Sequence, residues 1–93
     1  ATIASRDAAR RQLAADIRLA YLQLARAERA HAILAATVPL VLEGERVAER
    51  LLAVGKVTPD TVLRARAERS TVEQQRDQAR QLADAARRQL NLL

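Results

Sequence analysis

The sequence contains no cysteine, tryptophan, methionine or phenylalanine, and Tyr21 is its only aromatic residue. The lack of cysteine excludes disulfides and thiolate metal sites, and it leaves the compartment open. Because alanine buries little area, a compact globule of 93 residues without aromatic anchors would have a thin core. The composition, with 21 alanine, 14 leucine and 15 arginine residues, therefore favours long helices that touch along narrow stripes.

The net charge of +5 comes almost wholly from arginine, which raises the question of nucleic-acid binding. Acidic residues alternate with the arginines at helical spacing, a pattern typical of solvated helix faces. No aromatic cluster is available to stack on bases. We therefore predict no nucleic-acid partner. The pairs expected from spacing are Asp7 with Arg11, Glu43 with Arg46, Asp77 with Arg80, and Asp84 with Arg88.

The chain has two glycines and two prolines, and Gly55 and Pro59 mark the clearest turn. Gly55 suits the left-handed position that ends a helix. Thr58 can cap the next helix through its hydroxyl, Pro59 fits the first helical position, and Asp60 places negative charge at the helix N-terminus. The sequence therefore predicts helices over about 3–54 and 59–92, joined by a turn over 55–58.

Before this turn, apolar or small residues recur at alternating steps of four and three, which predicts coiled-coil-like packing. Additional apolar residues widen the stripe, so this helix is expected to touch more than one neighbour. The seam is Leu13, Ile17, Ala20, Leu24, Ala27, His31, Leu34, Val38, Val41, Glu45, Ala48 and Leu52, and the widening residues are Tyr21, Leu40, Val47 and Leu51.

Pro39 interrupts this seam because it has no N–H to donate to the carbonyl of Ala35, and its ring crowds that turn. No loop composition surrounds it, so we expect a kinked continuous helix and an all-α fold, a long antiparallel helical hairpin. A break at Pro39 would instead give a three-helix bundle, which is the alternative fold.

After the turn, the expected apolar stripe is poor and residues 73–81 are almost wholly polar. This segment combines high helix propensity with a weak hydrophobic driving force. It is therefore expected to form a long, extended helix that is stabilised by neighbouring helices or has a broad face in water. The stripe residues are Val62, Ala65, Val72, Ala79, Ala86 and Leu93, flanked by Leu82, Ala83 and Leu90.

No catalytic or metal site is predicted. His31 is the only histidine, and it lies on the seam with Glu28 one turn before it but no further ligand. Ser5 and Ser70 have no histidine or carboxylate arranged to activate them. There is no glycine-rich phosphate loop. We expect neither enzymatic activity nor a cofactor.

Both ends of the sequence indicate a fragment of a longer chain. It begins within a helix-like pattern at Ala1-Thr2-Ile3 and stops at Leu92-Leu93 without a cap or turn. Isolated, such a fragment would expose stripes meant for neighbours, so we expect a dimer or higher bundle.

The chain carries four motifs in order: Asp16–Leu24 with its Tyr21-Leu22 pair, Val54-Gly55-Lys56-Val57-Thr58 at the turn, Val62–Ala67, and Leu90-Asn91-Leu92-Leu93. Together these segments resemble the outer-membrane efflux protein family, the TolC-like channels of Gram-negative bacteria. The likeness spans most of residues 13–93, and the order and spacing of the motifs carry it. One position departs from the family pattern, because Thr61 stands where the family has aspartate, with Asp60 one residue early.

The resemblance implies a function for the hairpin in the Gram-negative cell envelope. Such channels are trimers whose periplasmic helical barrel meets a periplasmic adaptor protein, which links it to an inner-membrane pump. It implies that this chain is a periplasmic segment of an outer-membrane protein. The expected adaptor-docking tip is Val54, Gly55, Lys56, Val57 and Thr58.

Two alternatives remain. The hairpin of the adaptor itself has a similar glycine-containing tip followed by serine or threonine, but it places an arginine where this chain has Val47. Flanking lipoyl-like segments would indicate an adaptor, and amphipathic strands a channel. A basic coiled-coil module that binds DNA would instead show salt-sensitive affinity.

Overall fold

The computed structural model describes residues 2–93, which form two helices, α1 (Ile3–Ala53) and α2 (Pro59–Asn91). The helices pack along each other in a molecule 79 Å long and 15 by 13 Å across. The predicted all-α helical hairpin is thus confirmed. Val54 lies in the turn rather than in α1, and Leu92 lies beyond α2.

α1 is continuous across Pro39, so the three-helix alternative is wrong for the described residues. At its start, the Thr2 side chain accepts a hydrogen bond from the N–H of Ser5 at 3.1 Å. Near the proline, the hydroxyl of Thr37 donates to the carbonyl of Ile33 at 2.7 Å, which adds a side-chain hydrogen bond to that turn of the helix. The seam residues Val38 and Val41 pack against α2 on either side of the proline, and Ala35, Ala36, Leu40 and Leu42 add helix propensity, so the chain stays helical there.

The buried face of α1 follows the predicted seam from Ala20 to Leu52, where every seam residue is buried or half-buried. Across the described residues, no buried side chain is larger than valine, so the core is a narrow strip between two helices. This agrees with an alanine-rich sequence that lacks aromatic anchors. The buried residues are Ala20, Val38, Ala48, Val62, Ala79 and Ala83.

The buried face of α2 also follows steps of three and four, but two of its positions are arginine. Arg69 and Arg76 occupy places where the sequence analysis looked for apolar residues, which is why this stripe looked poor. Leu82, expected to flank the stripe, is 66% exposed, and Leu93 is exposed at the end. The face comprises Val62, Ala65, Arg69, Val72, Arg76, Ala79, Ala83, Ala86 and Leu90.

α1 has 51 residues and α2 has 33, so α1 extends beyond the end of its partner. Gln89 and Leu93 line a groove with Asp16 and Ala20, which places the end of the paired region there. Residues 3–19 of α1 are all exposed, and we call this segment the overhang.

Candidate docking surfaces

The turn between the helices is a tight reversal built on Gly55. The N–H of Gly55 donates to the carbonyl of Leu52 at 3.0 Å, and the N–H of Lys56 donates to the carbonyl of Leu51 at 2.9 Å. These two bonds form a Schellman motif, which ends a helix by satisfying its last carbonyls. The motif requires a left-handed residue, and Gly55 has φ +75°. The predicted role of this glycine in ending α1 therefore matches the geometry.

The start of α2, on the far side of the turn, differs in one respect from the expectation. Thr58 occupies the N-cap position, Pro59 is the first residue of α2, and Asp60 lies in its first turn. The Thr58 hydroxyl makes no capping bond, because the N–H of Thr61 donates to the Thr58 carbonyl at 3.0 Å. The hydroxyl instead lies 3.5 Å from that of Thr61. Asp60 forms an ion pair with Arg64 at 2.8 Å.

The five residues of the expected docking tip lie together at one end of the hairpin, but they are not equally accessible. Val54 is 66% exposed and Lys56 is also exposed, whereas Val57 is half-buried. A Cβ added to Gly55 would meet no atom within 4 Å, so the glycine opens onto free space. A partner backbone can therefore approach Gly55 closely, with Val54 as the main apolar contact beside it.

A second apolar surface runs along α1 to this tip, and we call it the lateral stripe. It consists of four exposed residues at intervals of seven, Ile33, Leu40, Val47 and Val54, with exposures between 41% and 71%. Intervals of seven keep Ile33, Leu40 and Val47 on one face of α1, and Val54 follows them as the C-cap residue in the turn. Sequence analysis identified Leu40 and Val47 as widening the stripe but did not detect this regular second row.

The lateral stripe borders an open groove between the two helices. Leu40 and Gly44 line it on α1, and Thr61, Arg64 and Glu68 line it on α2. The outer face of α2 is polar apart from isolated leucines such as Leu63 and Leu82. The hairpin therefore presents one additional apolar row, carried by α1 and its C-cap residue Val54. Tyr21, 64% exposed, lies where α2 stops covering α1 and does not belong to this row.

A cluster of charged residues bridges the helices near the tip. Glu45, whose side chain is only 12% exposed, accepts a hydrogen bond from Arg69 and lies 3.6 Å from Arg66. Arg69 also meets Glu73 at 3.3 Å, and Arg66 meets Glu49 at 3.5 Å. The Glu45 carboxylate, aided by that of Glu73, raises the pKa of the Arg69 guanidinium, so it remains charged.

The other ion pairs only partly follow the expected spacing. Glu43 pairs with Arg46 at 3.8 Å, and Asp77 pairs with Arg80 at 3.3 Å, as predicted. Asp84 instead pairs with Arg87, and Asp7 has no cationic partner within 4 Å among the described residues. Glu28 pairs with Arg87 across the helices at 3.1 Å. The cross-helix pairs follow from tertiary packing, which spacing within one helix does not reveal.

No other chemical site emerges from residues 2–93. His31 is half-buried on the seam, and no group of three histidine, cysteine or acidic side chains is placed to hold a metal there. Neither α1 nor α2 contains a segment apolar enough to cross a lipid bilayer. The surfaces with a distinctive geometry are therefore the tip, the lateral stripe and the overhang.

Comparisons with known proteins add no relationship. The chain matches no protein-family model, no curated protein and no solved structure.

Proposed function

We propose that this hairpin is a periplasmic segment of a trimeric outer-membrane efflux channel, with its tip as the docking site for a periplasmic adaptor protein. Through that adaptor, the channel would connect to an inner-membrane pump. The observation that carries the proposal is the tip itself. It stands at the end of a 79 Å hairpin, where Gly55 has φ +75° and open space around it, beside the exposed Val54.

The geometry of the tip suits end-on contact with a second hairpin. A side chain at position 55 would keep two tips apart, whereas glycine lets the backbones meet. Val54 offers an apolar contact, and Lys56 is exposed beside it, able to pair with a carboxylate or to stay in water. Thr58 completes the tip at the start of α2.

The lateral stripe supports the helical-barrel part of the proposal. A hairpin in a barrel has neighbours on both sides and water on the two remaining faces. α1 has the seam that packs on α2 and, beside it, the row Ile33, Leu40, Val47 and Val54 that α2 leaves uncovered. The polar outer face of α2 suits contact with water. In this account, neighbouring helices of the channel cover the lateral stripe.

The 93-residue chain alone is expected to self-associate through the lateral stripe, because exposed apolar rows favour burial against each other. Leu40→Arg would place a charge in the middle of the row and shift the sedimentation profile toward monomer. Leu82→Arg is the matched control, since Leu82 is 66% exposed, against 71% for Leu40, but lies on α2 outside the row. Analytical ultracentrifugation across a concentration series measures the difference. A monomeric parent chain, or equal effects of the two variants, would contradict the prediction.

A further inference from the structure

Gly44 lies inside α1, between Leu40 and Val47 of the lateral stripe and in the region where the two helices are paired. A glycine inside a helix is destabilising relative to alanine, because it loses more backbone freedom on folding. Nothing in the hairpin requires it here. Its φ is not positive, and an added Cβ would meet no atom within 4 Å. Gly44 therefore leaves room for a neighbouring molecule to approach the backbone of α1 closely.

The groove beside Gly44 has a floor of small residues. Ala48 is buried and Ala65 is half-buried there, whereas Leu40 forms a wall on α1. Apolar side chains of a neighbouring helix can enter such a gap, as knobs enter holes between packed helices. The lateral stripe and the groove therefore form one continuous surface.

On the α2 side of this surface, one carboxylate has no partner. Glu68 lines the groove, and among the side-chain carboxylates of residues 20–93 it alone has no cationic group within 4 Å. Arg64, one turn before it, is already paired with Asp60 at 2.8 Å. The α2 side therefore carries an unmatched negative charge.

On the other side of the lateral stripe, the unmatched charge is positive. Arg46 and Arg50 share the single carboxylate of Glu43, at 3.8 and 3.0 Å. At about 100° per residue, Glu43 and Arg50 fall on the side of Leu40 and Val47 that turns away from α2. These charged residues line a depression that no residue of α2 joins. We call this side the outer flank.

We infer that a second copy of this chain docks on the lateral stripe in parallel, with both tips at the same end. A two-fold axis along the hairpin sets Leu40 and Val47 against the same residues of the other copy, next to Gly44. It also brings the α2 side of each copy against the outer flank of the other. This pairing concerns the chain with itself, and it does not depend on an adaptor contact at the tip.

The charges favour this orientation. Arg69 donates to Glu45 across the hairpin, so its neighbour Glu68 stands at the height of Arg46 along the molecule. In the parallel pair, each Glu68 faces the outer flank of the other copy. The unmatched negative and positive charges therefore meet twice.

An antiparallel pair would place like sides together. In the register that matches the two apolar rows, it brings the two copies of Glu43 side by side. Glu68 would then face Thr71 and Gln75 of the other copy, which are uncharged. That arrangement leaves the carboxylate without a cation and adds repulsion on the outer flank.

Single cysteines distinguish the two orientations, because the 93 residues contain no cysteine of their own. In the parallel pair Val47 lies against its own copy, so mild oxidation of the Val47→Cys chain should give a disulfide-linked dimer. In the antiparallel pair Val47 lies against Leu40, and only a mixture of the Leu40→Cys and Val47→Cys chains would cross-link efficiently. Ser70→Cys, at an exposed site on α2, measures random collision.

A charge swap tests the ion pairs. Glu68→Arg sets like charges against Arg46 and Arg50, and it should weaken the dimer about tenfold at low salt. Arg46→Glu with Arg50→Glu should weaken its own dimer similarly. A mixture of the two variant chains restores opposite charges at both places, so the mixed dimer should be tighter than either variant alone. Asp84→Arg changes the net charge as Glu68→Arg does, at another exposed site on α2, and should leave the dimer intact.

Gly44→Leu tests the close approach. The new side chain enters open space, so circular dichroism should still show the full helix content, while sedimentation should show loss of the dimer. A monomeric parent chain would overturn the inference. An antiparallel pattern of cross-links would do the same, as would swapped chains that associate no more tightly when mixed than when separate.

Discussion

In the proposed efflux channel, replacing Gly55 with valine is expected to abolish resistance to the exported drug or metal, while the protein still reaches the outer membrane as a trimer. Valine is β-branched and disfavours the φ of +75° that this position adopts. Its side chain would also occupy the open space in front of the tip, where no atom lies within 4 Å of an added Cβ. Growth under the toxic compound, together with trimer content of outer-membrane fractions, measures the outcome.

Two further variants separate strain in the turn from obstruction of the partner. Gly55→Asn introduces a residue that tolerates the left-handed region but has a side chain. The variant protein should therefore retain the turn and still fail to export the compound. Ser70→Val adds a branched side chain at an exposed site on α2, away from the tip, and should leave resistance unchanged. Full resistance with Gly55→Val, and with a bulky residue in place of Val54, would show that the tip only reverses the chain and does not dock an adaptor.

Replacing Glu45 with alanine should destabilise the hairpin far more than replacing Glu43. The Glu45 side chain is 12% exposed and faces both Arg66 and Arg69 across the interface, whereas that of Glu43 is 56% exposed and pairs within its own helix. Removing this shielded carboxylate takes away the cross-helix partner of Arg69 and leaves that guanidinium with Glu73 alone, so we expect the melting temperature to fall by about 5–10 °C. Glu43→Ala should lower it by no more than about 2 °C.

A charge swap tests whether the pairing itself is responsible. Glu45→Arg and Arg69→Glu should each lower the melting temperature, and the double variant should recover part of the loss because the opposite charges again face each other. The recovery is partial because Arg66, which also meets Glu45, would then face a like charge. Thermal unfolding followed by circular dichroism gives all four values. Additive losses in the double variant would show that the pair contributes nothing specific.

Features set by local chemistry were predictable from the sequence. Gly55, Pro59 and the polar composition between them specify a reversal, and the steps of four and three from Ala20 to Leu52 identify the buried face of α1. Both depend on residues within a few positions of each other. The alternative of a break at Pro39 failed because the seam continues on both sides of the proline, where Val38 and Val41 pack against α2.

Features set by contacts between the helices, or by the exact backbone geometry at a helix start, could not be predicted from the sequence in the same way. Arg69 was overlooked as a seam residue, because an arginine becomes acceptable there only when Glu45 lies opposite it. The Thr58 hydroxyl was expected to cap α2, but the backbone of Thr58 and Thr61 uses the available N–H. The overhang also became visible only when the ends of the two helices could be compared.

Site-specific cross-linking in cells tests the docking role of the tip most directly. The 93 residues contain no cysteine, so one cysteine at Val54 reports on the tip, and one at Leu82 provides an equally exposed control. In a channel without other cysteines, a short bifunctional reagent should join the Val54→Cys protein to the adaptor and leave the Leu82→Cys protein unlinked. Adaptor cross-links from Leu82→Cys but none from Val54→Cys, in cells that still export, would contradict the proposal.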